Sequence, residues 1–133
     1  MAATVHDVKA ALSVAVATIA GLRAYAYQPD QVNAPMSWPI LDEIRYHDAM
    51  GGGLVTQQYR IAVIVGRAAE RTAQKNLDAY LSYGAGIRFA IESDPTLGGV
   101  AQASIVESAT NISSIDAGDT TYLYVEFRVT VYA

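Results

Sequence analysis

His6-Asp7 and His47-Asp48 are the two places in this 133-residue chain where an imidazole and a carboxylate stand side by side, the donor types from which many metal sites are built. Adjacent residues leave a helix or a strand in different directions, so neither dipeptide is a chelate by itself. The expectation is two solvated polar pairs near element ends and no bound metal. Gly51-Gly52-Gly53 lacks the Gly-Lys-Ser/Thr ending of a phosphate loop, and Gly84-Ala85-Gly86 lacks the third glycine of a dinucleotide fingerprint. Both read as turns. A Gly-x-Ser-x-Gly nucleophile elbow does not occur. Asp42 and Glu43 fall on opposite faces of their strand, while Glu126 has Arg128 on its own face as an ion partner. With no cysteine there is no thiolate nucleophile, zinc-thiolate site or disulfide framework. These residues predict no catalytic group and no cofactor, and the chain is not read as an enzyme.

Composition points toward other proteins as partners. Apolar residues make up 52 % of the chain and charged ones 17 %, below the roughly 25 % charge usual in soluble domains. Part of that apolar surface is expected to meet another chain. Thirteen acids against nine bases leave a net charge of −4, which repels nucleic acid and anionic lipid. Tyr25 and Tyr27, near Pro29, have the aromatic faces that stack on bases, but with so few cations around them they read as protein contacts.

The elements that must position these groups follow from periodicity. Residues 11–20 resemble the apolar core of a signal peptide but are too short to span a bilayer, and Asp7 spoils the basic flank. Val5, Val8, Leu12, Val16 and Ile19 instead fall on one helical face, so a helix from Thr4 through about Ala20 packs on the fold, ended by Gly21. Without a signal, Asn111-Ile112-Ser113 is not a glycosylation site. Residues 25–39 hold three prolines and read as extended loop. A strand over Ile40–Asp48 then pairs as a hairpin with Val55–Arg67. In the latter, Val55, Gln57, Tyr59, Ile61, Val63 and Val65 alternate with Thr56, Gln58, Arg60, Ala62 and Ile64.

Helices follow over Glu70–Ser82, with Ala73, Leu77, Tyr80 and Leu81 inward, and over Ala85–Ser93, with Ile87 and Ile91 inward. Asp94-Pro95-Thr96-Leu97-Gly98-Gly99 ends the second helix and turns the chain into a half-solvated strand, Val100–Ile112. The turn Asp116–Asp119 leads into the clearest strand. There Leu123, Val125, Phe127, Val129 and Val131 face one way, and Tyr122, Tyr124, Glu126, Arg128, Thr130 and Tyr132 the other. The sum is one domain, residues 1–133, of the α+β class: a mixed, mostly antiparallel sheet flanked by an N-terminal helix and a central helix pair, in the order α-β-β-α-α-β-β. A thirteen-residue strand reaches about 43 Å at about 3.3 Å per residue, whereas a globule of this size is roughly 36 Å across. The long strands must therefore twist and bend, or protrude as a hairpin whose edges suit pairing with a neighbour.

The stretches "GLRAYAYQPDQVNAP", "IAVIVGRAAERTAQKNLDAYL", "IRFAIESDPTLGGVAQASIVES" and "YLYVEFRVTVYA", in this order after an N-terminal helix, resemble the tail terminator proteins of long-tailed, siphovirus-type phages, especially those of actinobacteria. The resemblance covers nearly the whole chain and is most specific at Tyr27–Pro35, Arg67–Leu81 and Asp94–Gly99. It implies a structural virion protein at the head-tail junction, assembled in the host cytoplasm. Such a protein forms a hexameric ring on the last ring of major tail tube protein, stops tube growth and offers the docking surface for the head connector. No catalytic residues come with it. Genome DNA passes through such a ring, which a chain of this charge allows without specific binding. Tyr25, Tyr27, Pro29, Pro35, Met50, Tyr122 and Tyr124 are the candidate subunit and partner contacts. A neighbouring stopper or tail completion protein is the nearest alternative, and a small oligomeric enzyme or ligand-binding α+β domain the more distant one.

Overall fold

The computed structural model describes residues 5–19, 21–32, 34–46, 55–82 and 86–132. Along the chain run α1 (Val5–Val16), β1 (Arg23–Ala24), β2 (Met36–Arg45), β3 (Thr56–Arg67), α2 (Arg71–Leu81), α3 (Ile87–Glu92), β4 (Ala103–Ala117) and β5 (Thr120–Tyr132). The strands form one sheet in the order β1-β2-β3-β5-β4. Among the described strands only β1 and β2 run parallel, and the other pairs are antiparallel. The chain is thus α+β with a mostly antiparallel mixed sheet, and the two expected hairpins, β2–β3 and β4–β5, both form.

Alternation decides which face of the sheet is covered. Tyr59, Ile61, Val63 and Val65 of β3 and Val125, Phe127, Val129 and Val131 of β5 point into the main core. The helices meet them there through Val8, Leu12 and Val16 of α1, Ala73 and Tyr80 of α2, and Ile87 and Ile91 of α3. Each such aliphatic or aromatic side chain contributes about 1.5–3 kcal/mol by leaving water. Leu77 is half-buried and Leu81, the last residue of α2, is exposed, while Tyr80 beside it is buried. Among the described residues no helix contributes to the buried cluster on the opposite face of the sheet.

Several boundaries differ from those expected: α1 ends at Val16 rather than near Ala20, and β4 begins at Ala103 rather than Val100. The stretch 25–39, read as loop, contributes the first four residues of β2, and the short β1 forms just before it. Pro39 is tolerated because β1 pairs only with Met36 and Ser37, which leaves the outer side of Pro39 without a ladder partner. Helix α3 starts at Ile87, with Gly86 as its cap. Strand β4 continues to Ala117, paired with Thr120 across a two-residue turn whose Gly118 has φ of 62°.

The long strands are accommodated by bending. The register shifts between Leu41 and Glu43, Ile64 and Gly66, Val106 and Ser108, and Thr110 and Ser113. Each irregularity bends its strand and increases the local twist. Strand β3 accompanies β5 from Thr56–Tyr132 to Arg67–Tyr122, so the β4–β5 hairpin does not stand free of the sheet. Both edges are blunted. Besides its two bulges, β4 has the outward N–H of Val106 capped by Glu92 Oε2 at 3.0 Å, and β2 presents Pro39, Asp42 and Glu43. Strand addition along either edge meets these obstacles.

The Asp94–Gly99 stretch ends α3 and redirects the chain. Asp94 Oδ2 accepts from Gly98 N at 2.9 Å and its Oδ1 accepts from Thr96 Oγ1 at 3.0 Å. Leu97, Gly98 and Gly99 all have left-handed φ, and Leu97 is buried in the core. A Cβ on Gly98 would meet nothing within 4 Å, so only its φ of +72° opposes a side chain. Gly98→Ala is expected to cost about 1 kcal/mol. A urea titration checks this; a loss several times larger would mean the loop makes contacts its conformation alone does not require.

Candidate functional site

The helix-free face is built from cross-strand rows. Met36, Ile64, Tyr124 and Ser113 form one row, Trp38, Ala62, Glu126 and Thr110 the next, and Ile40, Arg60, Arg128 and Ser108 a third. The face is apolar at one end and ionic at the other. Met36, Trp38, Ala62 and Ile64 are buried in a second cluster, bordered by half-buried Tyr25, Ile40, Ile115, Tyr122 and Tyr124. Trp38 has a buried indole N–H without an acceptor.

At the ionic end Glu126 is a buried hub. Its Oε2 accepts from Tyr124 OH at 2.6 Å and Arg60 Nη1 at 3.1 Å, and its Oε1 from Asn111 Nδ2 at 2.7 Å. Arg60 Nε also donates to Asp42 Oδ1 at 2.8 Å. Burial pushes the Glu126 carboxyl up, but the hydrogen bonds from Tyr124, Asn111 and Arg60 outweigh it and hold the group below its ordinary value. A carboxylate that accepts from three donors ties β5 to β3 and to the β4 bulge. Asn111, at φ of 50°, sits in the Thr110–Ser113 bulge, so its bond to Glu126 pins that bulge to β5. The expected Glu126–Arg128 pair is replaced by Glu126–Arg60. Lateral neighbours in a cross-strand row, here one step removed, lie within reach of a long guanidinium.

Burial also raises the phenols of Tyr59, Tyr80 and Tyr124 above their ordinary value of 10.0. Tyr59 OH donates to Gln57 Oε1 in the interior, and Tyr124 OH is held by Glu126. A raised phenol stabilises the fold below pH 10 and loses that contribution as the pH climbs toward its folded value. An ultraviolet titration is therefore expected to show part of the tyrosine absorbance change delayed until the fold opens. A single reversible transition of all nine tyrosines near pH 10 would contradict it.

The candidate contact residues divide among three places. Tyr25, Tyr122 and Tyr124 gather on the helix-free face. Tyr27 lies against α1, its hydroxyl 2.7 Å from His6 Nδ1 and its ring 5.0 Å from Lys9 Nζ, with 53 % of its surface exposed. Pro29 and Pro35 are half-buried, Pro35 follows a cis peptide bond, and its carbonyl accepts from Arg23 N at 3.1 Å. Met50, His47-Asp48, Gly51–Gly53 and the first two residues of Gly84-Ala85-Gly86 lie outside the described residues. His6 is engaged with Tyr27, and among the described residues no three His, Asp or Glu side chains are placed to hold a metal ion.

A second surface escaped the periodicity. Between α1 and α3 lies an apolar groove of about 730 Å³, lined chiefly by Ala11, Val14, Ala15, Phe89, Leu97 and Val100. Val14 is 70 % exposed and Phe89 52 %. Both sit off the stripes that mark the inward faces of their helices, and a stripe-based reading assigns such positions to solvent. The usable signal was a large apolar residue on the polar side of each helix in a chain short of charge. No known protein-family model matches the chain, and no curated protein matches it either.

Proposed function

We propose that this chain is a virion structural protein, the terminator of a long-tailed phage tail. It closes as a ring on the last ring of major tail tube protein, ends tube growth and presents the surface to which the head connector docks. The observation that carries the proposal is that the two faces of one sheet are unlike, one bearing the apolar α1–α3 groove and the other the helix-free face with an exposed Ile105 and a tyrosine-bordered patch. A surface and a different counter-surface on one subunit suit head-to-tail contacts, which close into a ring when the rotation per contact divides a full turn. Six subunits is the number implied by the resemblance. The element order, a helix, a hairpin, a helix pair and a second hairpin, agrees with it.

The net charge of −4 lets genome DNA slide through the ring without specific binding. Among the described residues no helix is long and apolar enough to cross a membrane. The ring belongs at the head-tail junction of the virion, after assembly in the host cytoplasm. A ligand-binding α+β domain is the second reading, because it would use the same groove as its pocket.

Adding the purified chain to polymerising tube protein from the same phage tests capping. Tubes are expected to stop growing, with extra density at one end in electron micrographs. Tubes that lengthen at an unchanged rate with bare ends would oppose a terminator.

A further inference from the structure

On the helix-free face, β4 and β5 bring an apolar side chain and a cation together. Ile105 stands opposite Thr130 and is 45 % exposed. Arg128, the next outward position on β5, is exposed, and no described acidic side chain lies within ion-pair distance of it, although Asp42 and Glu107 border the same depression. On the other side of the sheet, Asp94 stands at the rim of the α1–α3 groove. Its carboxylate accepts only from the neutral Thr96 hydroxyl and Gly98 N–H, so its charge is not balanced by a described cation.

We infer that the groove receives the Ile105–Arg128 patch of a second copy of this chain, so that the helices of one subunit pack on the helix-free sheet face of the next. Three observations converge on this occupant. The groove is concave, apolar and open, with Val14 and Phe89 uncovered, and Ile105 is an apolar projection suited to fill it. Arg128 and Asp94 are of opposite charge at the borders of the two patches, which favours this register over self-pairing of either patch. The patches lie on opposite faces of one sheet, so a subunit cannot satisfy its own, and the blunted sheet edges disfavour assembly by strand pairing. The inference rests on the ring proposed above and adds which surfaces meet within it.

The test is a charge swap followed by native mass spectrometry and sedimentation of the whole chain. Phe89→Lys and Ile105→Glu alter exposed side chains, so each variant is expected to keep the wild-type circular dichroism. Each is expected to weaken assembly on the order of 30-fold. Combining them sets Lys against Glu and is expected to recover about 10-fold. Val14→Lys with Ile105→Glu repeats the test should Phe89→Lys impair folding. Wild-type rings that both single variants leave intact would overturn this contact and leave the ring standing. Dissociation by both without recovery in the pair would assign the patches to different neighbours and overturn the match. A wild-type chain that stays monomeric at every concentration would overturn it as well, whereas tube capping is read separately.

Discussion

Gly86→Ala is expected to cost about 3 kcal/mol of stability, far more than the same change at Gly98. The reason is space rather than dihedral freedom. Gly86 is extended, with φ of −98°, and caps α3. A Cβ there would lie 2.2 Å from the carbonyl oxygen of Tyr80 and 2.5 Å from that of Ser82, both backbone atoms at the end of α2. Backbone at a helix terminus has no rotamer to move aside. Relief requires separating α2 from α3, which disturbs the packing of Tyr80, Ile87 and Ile91 in the core. In a domain of this size the loss corresponds to roughly 10 °C in melting temperature. A melting curve for each variant checks the contrast. A Gly86→Ala loss below about 1 kcal/mol would show that the α2–α3 junction opens at little cost.

Glu126→Ala is expected to cost a similar amount, about 3 kcal/mol, for a different reason. Removing the carboxylate strands three donors, those of Tyr124, Asn111 and Arg60. Arg60 is 31 % exposed and keeps Asp42, so solvent and the remaining partner offset part of its loss. Asn111 is exposed, so water also offsets part of its loss, whereas the half-buried Tyr124 hydroxyl loses its acceptor and the Thr110–Ser113 bulge loses its anchor to β5. Glu126→Gln keeps the shape but not the charge and is expected to cost about half as much.

The pH dependence separates charge from shape. Because the folded carboxyl titrates below its ordinary value, its contribution is present above the unfolded value, about 4.3, and is lost as the pH falls through the folded one. Wild-type stability should therefore fall more steeply below about pH 4 than that of Glu126→Gln. Parallel acid profiles of the two proteins would show that the charge of Glu126 adds nothing.

The sequence was most legible where period and composition agreed. The alternation of Tyr59, Ile61, Val63 and Val65, and of Val125, Phe127, Val129 and Val131, placed two strands and their core face without ambiguity, since a one-residue slip would turn valines to water. Ile87 and Ile91 did the same for α3. What escaped notice depends on neighbours that a linear reading does not include. Pro39 reads as a strand breaker until β2 is known to be an edge strand whose β1 partner covers only Met36 and Ser37. The Thr110–Ser113 bulge of β4 is pinned by Asn111, which bonds across the sheet to a residue fifteen positions away.

The candidate surfaces followed the same division. Tyr25, Tyr122 and Tyr124 share a face because Tyr122 and Tyr124 keep strand parity and Tyr25 follows β1, which pairs with β2. Tyr27, only two residues on, leaves that face for α1 and His6. Val14 and Phe89 carry no signal until two helices are seen side by side, because a groove is a property of the pair.

The proposed role places the gene in a long-tailed phage, and its most direct test is to stop translation of the gene there and image the lysate by electron microscopy. The account predicts filled heads beside overlong tails that fail to join them. Normal-length tails beside separate or leaking heads would contradict a terminator and move the protein to the neighbouring connector, and intact infectious particles would remove it from the joint.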